Sequence, residues 1–138
     1  MIPFKWHETG SSALTQAHTA APQGYVFGAT EGEHLLHFRD GGKICIKVGP
    51  AIGSDNLTLG SQQMPVGAGI PIHEHLRMDE AFYVLEGCAI FTLNDSRRPS
   101  EEDGTIFIPK NCSRLCEIGP AAPTVFLTTL ANSVTTRS

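Results

Sequence analysis

From Gly24 to Leu130 this chain is cut into short apolar runs by glycine, proline and Asn/Asp residues, which leaves no room for long helices. The runs cover 25–29, 34–38, 43–48, 56–64, 70–75, 80–86, 88–94, 105–109, 112–118 and 124–130, and they are rich in Val, Ile, Phe, Tyr and Thr. Between them stand Gly41-Gly42, Gly49-Pro50, Gly53-Ser54-Asp55, Pro65-Val66-Gly67, Gly87, Asn94-Asp95-Ser96, Asp103-Gly104 and Gly119-Pro120, residues that accept the backbone angles of tight turns. Within 43–48, Ile44, Ile46 and Val48 share one face while Lys43 and Lys47 take the other, the period-2 pattern of a strand with one wet side. No stretch sustains a 3.6-residue period beyond ten residues. Closely spaced short strands predict an all-β barrel or sandwich.

A chain of 138 residues suits one domain with one core. Residues 1–23 are polar and without period, and read as an N-terminal arm ahead of a barrel over 24–138. The net charge of -4 argues against a nucleic-acid surface or a membrane-binding face, both of which need clustered Lys and Arg. No apolar stretch approaches the ~18 residues of a membrane span, and the first residues lack the layout of a signal peptide. The four cysteines (Cys45, Cys88, Cys112, Cys116) form no C-x-x-C pair and are expected to stay reduced, in keeping with a cytoplasmic protein.

The chemistry concentrates between Gly67 and Gly87. On a strand, His73 and His75 stand at i and i+2 and point to one face, so two imidazoles can converge on one ion. After a four-residue turn comes Glu80; a strand folding back there would add a carboxylate. Two histidines and a carboxylate with open positions suit Fe, Mn, Ni or Zn. Asp79 should point the other way, so one acid of the pair is the ligand.

The string Gly67, five residues, His73, one residue, His75, four residues, Glu80, six residues, Gly87 resembles the first conserved motif of the cupin superfamily. Residues 79–87 are similar to small bacterial cupins of the quercetin-dioxygenase-like kind. The resemblance spans roughly residues 24 to 130 and implies a jelly-roll barrel, a double-stranded β-helix. It also implies a divalent metal held in the barrel mouth by His73, His75 and Glu80, and a homodimer, often with N-terminal strands exchanged.

The second motif of that family departs. In 103–118 the third metal-binding histidine is replaced by Arg114, and Asn111 takes the place of a glycine. Arg has no lone pair to donate to a metal. A guanidinium about 5 Å from a divalent ion would oppose it by roughly 6–7 kcal/mol at an effective dielectric near 20, about half of it offset by Glu80. Arg114 therefore has three readings: an ion pair with Glu80 in a metal-free pocket, a bidentate anchor for an anionic ligand, or a side chain turned outward. Strand parity walls the pocket with Phe82, Val84 and Phe107 and puts Cys112 and Cys116 on the face of Arg114. Cys116 reads as a small core residue, and as the one substitute metal ligand available. His34 and His37 fall on opposite faces of a strand, and His7, His18 and Trp6 sit in the arm without metal-binding partners.

Two functions compete. One is a metal enzyme acting on a small organic molecule by dioxygenase- or isomerase-type chemistry. The other is a non-catalytic, metal-free cupin that binds a sugar or organic acid through Arg114. A purely structural domain does not account for several polar groups turned into one small barrel, where each unpaired group costs about 1–3 kcal/mol.

Overall fold

The computed structural model describes residues 3–5, 23–37 and 39–132, and antiparallel strands dominate it. The strands are β1 (Pro3–Lys5), β2 (Glu33–His37), β3 (Lys43–Val48), β4 (Leu57–Met64), β5 (Gly69–His73), β6 (Met78–Glu86), β7 (Ala89–Leu93), β8 (Ser96–Ser100), β9 (Thr105–Ile108), β10 (Arg114–Ile118) and β11 (Thr124–Asn132). A 3-10 turn, Pro50–Ile52, lies between β3 and β4. Seven strands form one sheet in the order β1-β2-β3-β4-β11-β6-β9, and four form a second in the order β5-β10-β7-β8. From β4 onward the chain changes sheet at nearly every connection, which is the jelly-roll pattern.

The core lies between the sheets and follows strand parity. Phe82 on β6 and Phe126 on β11 meet Phe91 from the facing sheet, with ring centroids 5.1 to 5.8 Å apart. Burying a phenylalanine side chain contributes about 1.5–3 kcal/mol, with more from the tilted ring contacts. The turns fall where the sequence places them. Gly41, Gly53, Gly67 and Gly87 have positive φ, and Asn94, Asp103 and Asn111 adopt it too.

Three expectations change. The run 25–29 is irregular chain rather than a strand; the edge of β2 that it could have joined is taken by β1, out of the segment read as an arm. A strand appears instead at 96–100, where Ser-Arg-Arg-Pro-Ser carries no β-branched or aromatic residue. It is an exposed edge strand, held by the hairpin at Asn94, and an edge is where a sheet accommodates a proline such as Pro99. Phe107 does not wall the interior: β9 pairs with β6 so that Ile106 and Ile108 face the core, leaving Phe107 59% exposed.

Candidate metal centre

β5 ends at His73, and His75 lies in the loop that leads to β6. The Nδ1–H of His73 donates to the Pro71 carbonyl at 2.7 Å, which leaves the lone pair on Nε2. The two imidazoles stand edge to face with centroids 5.0 Å apart. Two backbone groups beyond β9 pin this loop. The Lys110 N–H donates to Asp79 Oδ1 at 2.9 Å, and the Asn111 N–H donates to the His75 carbonyl at 2.7 Å. With Asp79 turned outward, strand alternation turns Glu80 inward, where it is buried.

One ligand atom from each of His73, His75 and Glu80 lies within 4.8 Å of the others. The strand carrying Glu80 does not fold back onto the one carrying His73, as the spacing suggested. β5 pairs with β10, whereas β6 lies between β11 and β9 in the opposite sheet. The imidazoles and the carboxylate meet across the barrel mouth.

Arg114 opens β10 directly opposite His73 and is only 2% exposed, so it does not turn outward. Its Nη1 donates to Glu80 Oε1 at 2.7 Å and its Nη2 to the Cys112 carbonyl at 3.0 Å. The Thr128 hydroxyl donates to Glu80 Oε2 at 3.3 Å, and His75 Nε2 lies 3.8 Å from Glu80 Oε1. Arg114 Nε is buried without a hydrogen-bond partner. Burial lowers the His75 pKa below its usual value; Glu80 opposes that shift, while Arg114 and His73 add to it. The imidazole is therefore neutral, with a lone pair to offer, at neutral pH.

The donor set fits a divalent transition metal in kind and in spacing. The Arg114 guanidinium is the one feature set against it. Of the other residues singled out in the sequence, Phe82 is part of the aromatic core. Cys116 is 2% exposed, and burial, with smaller contributions from Glu117 and Glu80, pushes its thiol up to about 12, so it is a protonated core residue. Cys112 packs against the core from the loop before β10. His34 and His37 sit on opposite faces of β2, the first reaching the Thr30 carbonyl and the second buried. His7, His18 and Trp6 lie outside the described residues. Thr128 escaped the sequence reading. Its phase in the run 124–130 pointed inward, but nothing local ties it to a carboxylate 48 positions away.

Two facing antiparallel sheets around this cluster define a small β-barrel domain with the cupin fold. Solved structures of that type are similar to it over most of its length. An RmlC-like cupin from Shewanella frigidimarina shares 16% identity at a TM-score of 0.66, covering 80% of this chain and 92% of that one. A predicted oxalate decarboxylase from Thermotoga maritima shares 17% at 0.62, covering 74% and 83%. The cupin domain of Cnp3 from Schizosaccharomyces pombe shares 19% at 0.61, covering 66% of this chain and 64% of that one. In sequence, 46 residues are 35% identical to an uncharacterized protein of Methanocaldococcus jannaschii, a match spanning 33% of this chain and only 37% of that protein. No family model matches the chain.

Proposed function

We propose that this cupin holds a divalent transition metal between His73, His75 and Glu80 and acts there on a small organic molecule by oxygenation or isomerisation. The observation that carries the reading is the convergence of three ligand atoms within 4.8 Å, drawn from two sheets. A metal bound there supplies Lewis acidity and open coordination positions. The chain's own residues set its surroundings. Pro71 fixes the ring orientation of His73 through Nδ1, the backbone of 110 and 111 holds the loop of His75, and Thr128 and Arg114 orient the Glu80 carboxylate.

A second reading draws on the 2.7 Å contact between Arg114 and Glu80, in which the buried carboxylate already has a cationic partner. In that reading the barrel is a metal-free binding module, and His73 and His75 are hydrogen-bonding groups at its mouth. Metal content separates the two. Plasma mass spectrometry on protein purified without a metal-affinity tag, with His73→Ala alongside, should find about one equivalent of Fe, Mn, Ni or Zn that the variant loses. If the wild type stays empty after loading with each of the four, the metal reading fails and the metal-free one stands.

A further inference from the structure

The face of the seven-stranded sheet that carries Glu80 also carries a hollow, and strand register sets out where. Glu80 on β6 lies opposite Leu130 on β11, and Leu130 opposite Thr58 on β4. One pair further along, Thr128 lies opposite Gly60, which lies opposite Ile46 on β3. Residues directly opposite across antiparallel strands project from one face. Thr58 therefore looks to the same side of the sheet as Glu80, two strands away with Leu130 between them. Ile46 looks to the same side as Thr128, also two strands away, or roughly 10 Å at the usual strand spacing; Ile46 is three strands from Glu80. Gly60 presents no side chain between Thr128 and Ile46.

At that place Phe27, Ile46, Pro50, Ala51, Ile52 and Thr58 line a partly open hollow of about 170 Å3, with Glu33 as the one acidic residue of the lining. Gly32 and Gly49 also line it. A Cβ on Gly49 would stand 3.2 Å from Ile46 Cγ2, and one on Gly32 would stand 2.8 Å from the Ile46 carbonyl oxygen. Lys47, at the rim, is tied to the carbonyls of Ala29 at 2.7 Å and Glu31 at 3.2 Å. An interior cavity of about 150 Å3 has room for benzene, so a hollow of this size has room for one aromatic ring or a branched alkyl group, against a lining that is apolar apart from Glu33 and Lys47.

We infer that the hollow receives the apolar end of a ligand whose polar end reaches His73, His75 and Glu80, which makes the ligand class a small carboxylic acid bearing an aryl or branched alkyl tail. The polar end rests on the metal reading above: a divalent ion beside Arg114 outweighs the single charge of Glu80 and favours an anionic oxygen donor. The apolar end rests on the lining and the register alone.

The test uses zinc-loaded full-length protein with toluene, acetate and hydrocinnamate as probes, followed by the methyl resonances of Ile46 and Ile52. Toluene should shift those methyls in the wild type and in His73→Ala, and not in Ala51→Trp, whose indole fills the hollow. Hydrocinnamate should bind the zinc-loaded wild type about tenfold more tightly than acetate. Ala51→Trp should remove that gain while keeping zinc and acetate; Thr58→Phe serves the same purpose if the tryptophan variant does not fold. Hydrocinnamate binding no better than acetate, or a gain that survives filling of the hollow, overturns the inference. Failure of the wild type to hold any of Fe, Mn, Ni and Zn overturns the metal reading and with it the polar end, the same probes being run with whichever of the four binds if zinc does not. Toluene leaving Ile46 and Ile52 unmoved overturns the apolar end.

Discussion

Arg114 decides more about this barrel than any other single side chain. It compensates the buried Glu80 carboxylate at 2.7 Å, so Arg114→Ala leaves a charge stranded in the interior. Breaking one half of a buried pair costs about 3–5 kcal/mol, which urea denaturation would register. Arg114→His is expected to act differently. It removes the fixed positive charge beside the cluster and offers a third imidazole, so zinc affinity measured by calorimetry should rise. Two other residues contribute a pH dependence to stability. Burial lowers the pKa of His37, with Asp40 opposing and Arg39 assisting. The fold thus favours the neutral ring, and below pH 6.5 the unfolded chain binds more protons than the native one. The stability His37 contributes is present above pH 6.5 and declines as pH falls below it. Cys116 works in the other direction. Its thiol is raised from 9.0 to about 12, so its contribution is complete below pH 9 and is lost as pH rises toward 12. Urea midpoints measured across that range should fall at both ends, and Cys116→Ala should flatten the alkaline limb.

At the scale of elements, the connection between β6 and β7 depends on one position. Gly87 has a φ of 82°, and a Cβ there would lie 2.3 Å from the Pro123 carbonyl oxygen and 2.9 Å from Thr124 Cα. Neither is the end of a flexible side chain, so the clash cannot be relieved by a rotamer change. Gly87→Ala is expected to destabilise the protein by at least about 2 kcal/mol, from left-handed backbone strain and steric contact together. A chemical denaturation curve checks this, with Gly41→Ala as the control, since open space surrounds that equally left-handed glycine. Most element boundaries were legible because a turn residue and a parity pattern act within a few positions of each other. β8 was not, since an edge strand exposed on both faces needs no apolar face. The run 25–29 misled for the opposite reason: it has strand composition, but a strand also needs a free edge.

For the molecule as a whole, the two sheets are joined by Phe82, Phe91 and Phe126, whose rings touch from both sides. Truncating the member from the smaller sheet, Phe91→Ala, should cost about 3–5 kcal/mol and lower the melting of both sheets together. Coincident loss of the near-ultraviolet and far-ultraviolet signals would show a single cooperative unit. Two transitions would mean that the sheets are stable separately.

Short-range order in the chain determined most of the strand runs, most of the turns, the inward phase of Glu80, Phe82 and Val84, and the spacing of His73, His75 and Glu80. These follow from backbone alternation and turn chemistry, which act between near neighbours. Only the tertiary structure decided which sheet each strand joins, and hence that Glu80 meets the histidines from across the mouth. It also decided that Arg114 and Thr128, 34 and 48 positions from Glu80, close on its two oxygens. Contacts over such separations depend on which strand edges pair, and an alternating pattern fits any edge with the right phase.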